Sequence, residues 1–325
     1  MTPPNRPFHA TNLLAGLLLL ASMSLAPAQT DNVAATWPPQ ASASLQALLD
    51  SSVQKTLEAF AAKKLGANEL AVTLIDLRDA KNPALASYRG NEQIYPASVI
   101  KLFYLVAAHR WLEDGKLQDT EELRRALHDM IVYSYNEATH YVIDLLTDTT
   151  SGPELPQAAI ETWFDKRNAV NRYFAGRGYN NINANKKPWC EGPYGRETQA
   201  IKLFTPKRNM LTTDATARLM LEIFTGQAVS ANRCEQMKKL MERNPFKKPA
   251  DTGEPDQGYD FNGPAIPAGS KVWSKAGWTS ETRHDAACIE LANGARFILV
   301  TFTVNHAGER EIIPSISRTI IAGMK

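Results

Sequence analysis

Apolar residues recur along this chain with two different periods. Leu45, Leu48, Leu49, Val53, Leu57 and Phe60 fall at helical spacing and predict an amphipathic helix over 45–60. The β-rich run 69–76 predicts a strand, and a second short one is expected over 84–89. Tyr95-Pro96-Ala97-Ser98 then leads into 99–112, a stretch apolar enough to read as a buried helix, with Ser98 where the loop enters it. Helical patterns follow over 120–133, 138–147, 157–174 and 213–225. Between the last two, 176–209 is rich in Gly, Asn and Lys and shows no period, as expected of a functional or mobile loop.

The last third changes character. Runs 271–278, 285–291 and 296–304 read as strands, and Asn293-Gly294 between the last two is a hairpin signal, since that pair accepts positive φ. Ile312, Ile313, Ile316 and Ile320 predict a closing helix, with Pro314 tolerated in its first turn. The order is helix and strands, then a helical block, then an antiparallel sheet and a final helix, without internal repeats.

The amino terminus reads as a processing signal. Arg6 and His9 precede the apolar run Leu13 to Ala21, and Ala26-Pro27-Ala28 follows as a small-x-small cleavage signal, so export with cleavage near Ala28 is expected. Residues 29–42, rich in Pro and Ala, read as a tether. No later run is long and apolar enough for a membrane helix. Lys+Arg 36 against Asp+Glu 34 leaves a net charge of +2, too balanced for a protein that works on nucleic acid or anionic lipid. Cys190, Cys234 and Cys288 are too widely spaced for a metal knuckle, and a single bridge, if one forms, is expected between Cys190 and Cys234. No histidine past the leader has a partner at metal-ligand spacing, so neither metal nor cofactor is expected. Nothing signals an interface, and a monomer is expected.

Nucleophile elbows, zinc-protease motifs, phosphate loops and dinucleotide fingerprints are all absent from the sequence, which leaves serine and lysine chemistry. The leading candidate is Ser98-Val99-Ile100-Lys101, where two side chains at i and i+3 share a helix face and the amine can draw off the hydroxyl proton. Lysine ordinarily titrates near pH ~10.4, so the site must desolvate Lys101 or supply a second cation. Each motif has a chance twin. Ser52-Val53-Gln54-Lys55 repeats the first and is read as a solvated helix face; Ser230-Ala231-Asn232 repeats Ser134-Tyr135-Asn136, and Lys64-Leu65-Gly66 repeats Lys275-Ala276-Gly277.

The order S-x-x-K, then S-x-N in a helical block, then K-x-G on a strand before a hairpin, is less easily given by chance. In these motifs, and in Pro96 to Leu102 and Leu211 to Ala217, the chain resembles the serine β-lactamase and penicillin-binding protein superfamily, closest to class A β-lactamases. The resemblance implies an α+β fold over 43–325, with an α/β lobe (about 43–100 and 226–325) holding an antiparallel sheet and an all-α lobe (about 101–225). It implies Ser98 as acylated nucleophile, Lys101 as activating amine, Ser134 as proton relay to the leaving nitrogen and Asn136 as a hydrogen-bonding partner of the substrate amide. Lys275 would face a substrate carboxylate and the Ser134 hydroxyl, and the backbone N–H groups of Ser98 and Trp278, next to Gly277, would form the oxyanion hole.

Three departures stand out. Tyr135 occupies the place of a usual Asp, and Ala276 that of a Thr or Ser whose hydroxyl would bind the substrate. The string E-x-x-L-N, which activates the deacylating water, is missing from 176–212; Glu197 and Glu191 are the two carboxylates available there. Arg283 is either a helper of Lys275 or a solvated hairpin charge, and Trp278 and Tyr135 either border the cleft or pack. The resemblance implies acyl transfer on a β-lactam or related amide. The alternatives are a D-alanyl peptidase or esterase, and a penicillin-binding or sensor module without turnover.

Overall fold

The computed structural model of this protein describes residues 1, 37–189, 191–248, 253 and 255–324; the leader expected over 2–28 and its cleavage site lie outside them. Among the described residues seven strands form one sheet: β1 (Gln40–Ala41), β2 (Leu70–Asp76), β3 (Ala84–Tyr88), β4 (Glu242–Arg243), β5 (Lys271–Trp278), β6 (Thr282–Glu290) and β7 (Arg296–Val304). Their spatial order is β1-β3-β2-β7-β6-β5-β4, antiparallel except for the β1–β3 pair. The central strands β2, β6 and β7 are buried on both faces, which explains why they read as near-continuous apolar runs rather than alternating ones. The Asn293-Gly294 signal lies in the β6–β7 turn, where Gly294 takes φ +87° and its N–H donates to the Leu291 carbonyl at 2.9 Å. Part of the expected tether belongs to the fold: Gln40–Ala41 extend the sheet, and the Ser42 hydroxyl caps the first helix on Leu45 N–H.

One face of the sheet is covered by α1 (Ala43–Ala59) and α10 (Ile312–Met324), whose Leu45, Leu49, Val53, Ile316 and Ile320 pack on Val72, Leu74 and Leu299. Ser52, expected on a solvated face, is instead fully buried and donates to the Ile316 carbonyl at 3.0 Å. The second S-x-x-K match is therefore a brace between two helices.

The other face carries α2 (Lys101–Glu113) and α8 (Thr213–Phe224), with α3 (Glu121–His128), α4 (Asn136–Thr147), α5 (Gln157–Arg167), α6 (Ala169–Gly176), α7 (Gly195–Leu203) and α9 (Ala231–Met241) around them. Phe103 of α2 meets Phe174 and Tyr179 edge-on at 4.9 and 6.0 Å between ring centres, the anchor of this larger core. Helix α8 leans on β2, where the Thr73 hydroxyl donates to Asp214 at 2.6 Å.

Four local expectations differ from the structure. The helix over 157–174 breaks at Asn168, whose side chain turns back to bond the Phe164 carbonyl at 2.9 Å. The helix over 120–133 loosens into a π turn over Asp129–Tyr133. The loop 176–209 contains α7, and α9 was not expected at all. Cys234 is buried and free, so it forms no bridge with Cys190, which lies outside the described residues. Among the described residues no helix is long and apolar enough to cross a membrane.

Candidate active site

Ser98 sits in a 3-10 turn (Ala97–Ile100) immediately ahead of α2. Ala97 is buried with φ +45°, an unusual conformation for a residue with a side chain, and it turns the chain sharply before the serine. Two contacts fix this turn from the sheet. His284 on β6 accepts the Thr303 N–H at Nδ1, which leaves Nε2–H to donate to the Tyr95 carbonyl at 2.9 Å. Gly277 on β5 lies so close that a Cβ there would stand 2.7 Å from the Pro96 oxygen and 2.8 Å from the Ser98 nitrogen. A glycine is needed at 277 because strand and serine turn share this space.

The π turn delivers Ser134 in the left-handed region, φ +62°, just before Asn136 opens α4. The fully buried Lys101 donates to the Ser134 carbonyl at 2.6 Å, to Asn136 Oδ1 at 2.8 Å and to Ser134 Oγ at 3.2 Å. Lys275, also fully buried, reaches the same hydroxyl from the sheet side at 2.9 Å. Two lysine nitrogens donate to one hydroxyl, so its own proton must point elsewhere. Lys275 is held well below the usual lysine range by burial first, then by repulsion from Lys101 and Arg243, with Asp285 acting in the opposite direction.

The structure thus brings Ser98, Lys101, Ser134, Asn136, Lys275 and Gly277 to one place. Tyr135 flanks Ser134 with its ring more than half exposed, tilted against Tyr133 at 5.4 Å. Trp278 is half-buried and packs against Phe261 at 5.7 Å. The remaining candidates behave otherwise. Ala276 is sealed beneath Phe261 and Ile313, so its methyl group packs in a small core and is closed to a substrate. Arg283 is neither solvated nor joined to Lys275: buried, it donates to the Asp260 carbonyl at 2.6 Å and lies over the Phe261 ring at 4.1 Å.

Glu197 points into a separate buried cluster. Arg167 donates to it at 2.8 Å and Ser151 at 2.9 Å, while the Lys187 ammonium lies 3.7 Å away and also pairs with Asp144 at 2.7 Å. Asp144 is eight residues beyond Asn136 on α4, about 12 Å of helix. Among the described residues the partners of this carboxylate are Arg167, Ser151 and Lys187. Glu191, the other candidate, is exposed.

Sequence reading missed Gln257. Its Oε1 accepts from Lys275 Nζ at 2.5 Å and from Ala276 N–H at 3.1 Å, and its Nε2 donates to the Ile131 and Val132 carbonyls at 3.0 and 2.9 Å. It also missed Arg243, whose guanidinium bonds the Ile131 and Ser274 carbonyls at 2.9 Å and which burial pushes down to about 10. The available signal was the polar trio Arg283-His284-Asp285 inside a wholly buried strand, since buried polar groups require partners nearby. Among the described residues no group of three or more His, Cys, Asp or Glu is placed to hold a metal.

A serine turn, a second serine shared by two lysines and a strand glycine thus meet at one place. The chain belongs to the β-lactamase enzyme family, whose model matches residues 52–324. Its fold is similar to a β-lactamase from Sphaerobacter thermophilus (TM-score 0.61, 20% identity, covering 84% of this chain and 97% of that one). It is similar also to PBP-A (0.60, 19%, 89% and 98%) and to a β-lactamase from Chitinophaga pinensis (0.60, 18%, 85% and 100%). No curated protein matches the chain.

Proposed function

We propose that this protein is an exported serine hydrolase that works by acyl transfer on β-lactams or related amides. The observation that carries the reading is the Ser134 hydroxyl held by Lys101 at 3.2 Å and Lys275 at 2.9 Å beside the Ser98 turn. In this reading Lys101 acts as the neutral amine: Ser98 Oγ attacks the carbonyl as its proton passes to the Lys101 nitrogen. The C–N bond then breaks as Ser134 protonates the leaving nitrogen and recovers a proton from the lysines behind it. The N–H groups of Ser98 and Trp278 steady the oxyanion. Export rests on the apolar run Leu13 to Ala21 and the cleavage signal at Ala28. A PBP-A variant has been solved as an acyl-enzyme with penicillin G, which makes penicillin the natural first probe.

A second reading, slow or absent deacylation, is favoured by the engagement of Glu197 with Arg167 and Lys187. Intact-mass spectrometry during incubation with penicillin tests both. An adduct that is absent from Ser98→Ala and persists supports acylation without turnover. An adduct that decays as hydrolysed penicillin accumulates supports a β-lactamase. Neither adduct nor product from penicillin, D-alanyl peptide or ester overturns the proposal.

A further inference from the structure

One face of α4 carries more than the acyl-transfer scheme uses. Asn136, His140 and Asp144 follow one another at intervals of four residues, so their side chains form a single stripe along the helix. Each member of the stripe holds a different partner. Asn136 Oδ1 accepts from Lys101 Nζ at 2.8 Å, His140 Nε2 bonds the Pro188 carbonyl, and Asp144 accepts from Lys187 Nζ at 2.7 Å. A carbonyl only accepts, so His140 carries its proton on Nε2. The segment 187–189 is thereby laid along α4, its lysine two turns from Asn136 and its tryptophan one. Lys187 is buried and also donates to Ser151 at 2.8 Å, which fixes this end from two sides.

Trp189 is the exposed product of that arrangement. Its ring lies 4.2 Å from the His140 ring, tilted by 56°, and the exposed Tyr194 ring meets it edge-on at 5.8 Å. His140 is about 6 Å of helix beyond Asn136. A half-buried indole therefore stands one helical turn from the amide that Lys101 holds. Between Asn183 and Trp189 the chain has no Asp or Glu, so what this segment brings beside Asn136 is an aromatic face and not an acid.

We propose that Trp189 is a specificity-determining residue of this site, stacking on a flat apolar group carried by the acyl side of the substrate, and that His140 is its positioning residue. The inference rests on the acyl-transfer reading, in which Asn136 bonds the substrate amide; the group attached to that amide then lies beside the turn of His140 and Trp189. The substrate class that follows is an amide bearing an aryl or arylacetyl group rather than a bare amine. Aromatic rings favour such offset or edge-on partners.

The test measures, by intact mass, the rate at which the whole protein is acylated by penicillin G and by aminopenicillanic acid, the same nucleus without the phenylacetyl group. In Trp189→Ala the ratio of the two rates is expected to fall about tenfold, the scale of one lost aromatic stack. Trp189→Phe keeps a ring and is expected to lose less; it carries the test if Trp189→Ala does not fold. His140→Phe keeps a ring against the indole but loses the donor to Pro188, and is expected to lower the same ratio. A merely structural role would slow both reactions alike, and a ratio that stays at the parent value in the variants that fold overturns the proposal. A parent protein that acquires no adduct from either compound overturns the acyl-transfer reading and this inference with it, so the two failures are distinguishable.

Discussion

Gln257 and Lys275 share a hydrogen bond of 2.5 Å that ties the two sides of the site together, because the same amide also donates to the Ile131 and Val132 carbonyls leading to Ser134. The carboxamide has both an acceptor for the lysine and donors for the carbonyls, a combination no apolar residue supplies. In Gln257→Leu the Val132 carbonyl and the Ala276 N–H lose this side-chain partner, while the Ile131 carbonyl keeps Arg243 and Lys275 keeps Ser134. The acylation rate is expected to fall at least about tenfold, and the melting temperature to drop, as each unmet buried group costs about 1–3 kcal/mol. A rate within a factor of two of the parent, followed by intact mass with penicillin, would show that Lys275 does not depend on this amide.

Glu197 offers a sharper contrast. It is 4% exposed and paired with Arg167, itself 1% exposed. Breaking a buried pair by removing one partner typically costs about 3–5 kcal/mol, because the surviving charge stays buried. Glu197→Gln is thus expected to lower stability in urea melts by that order while leaving Ser98 acylation near the parent rate. A deacylating base would behave in the opposite way, with stability little changed and the acyl-enzyme accumulating.

Much of the site was legible because its motifs are local in sequence. Ser98 and Lys101 are three residues apart, so helix geometry puts them on a common face, whereas Ser134 and Asn136 are two apart and both reach Lys101 because Ser134 lies in a left-handed turn just before α4. Gly277 was legible as part of a strand motif, though its reason, the approach of the Ser98 turn, is a long-range contact. What could not be read depends on distant neighbours. A missing hydroxyl at Ala276 looked like a change in the cleft until Phe261 and Ile313 were seen to close over it. Glu197 had the right position in the chain, but its partner Arg167 lies thirty residues away. The fold followed the same rule: β2 and α2 were plain from apolar runs, whereas the break at Asn168 hangs on one side-chain bond to Phe164 and α9 has only Cys234, Met237 and Met241 buried.

The Gly277 contact has its own consequence. In Gly277→Ala the new methyl group meets backbone atoms of Pro96, Ser98 and Val99 at 2.7–2.9 Å, so the serine turn or β5 must move. If the Ser98 N–H is one donor of the oxyanion hole, the acylation rate constant is expected to fall by about 10²-fold, the scale of losing one such donor. Pre-steady-state mass measurements decide it. A variant that keeps the parent acylation rate would place the oxyanion donors elsewhere.

The pH dependence of stability follows from three buried groups with opposite signs. His109 and His284 are both lowered to about 4, chiefly by burial, so the unfolded chain binds protons that the folded protein refuses as pH falls from about 6.5 to about 4. Stability is lost over that window, at most about 3 kcal/mol per histidine. Asp285, raised to about 6 by burial, takes up its proton in the folded state first and returns a similar amount over roughly pH 6 to 4. Two losses against one gain leave net acid destabilisation on the order of 3 kcal/mol. His109 isolates one loss, because neither of its ring nitrogens has a hydrogen-bond partner among the described residues. In His109→Leu the melting temperature is expected to hold at pH 7 and to fall less steeply than in the parent between pH 6.5 and 4. Equal slopes in the two proteins would mean that His109 is protonated in the folded state and that its buried ring finds compensation for the charge.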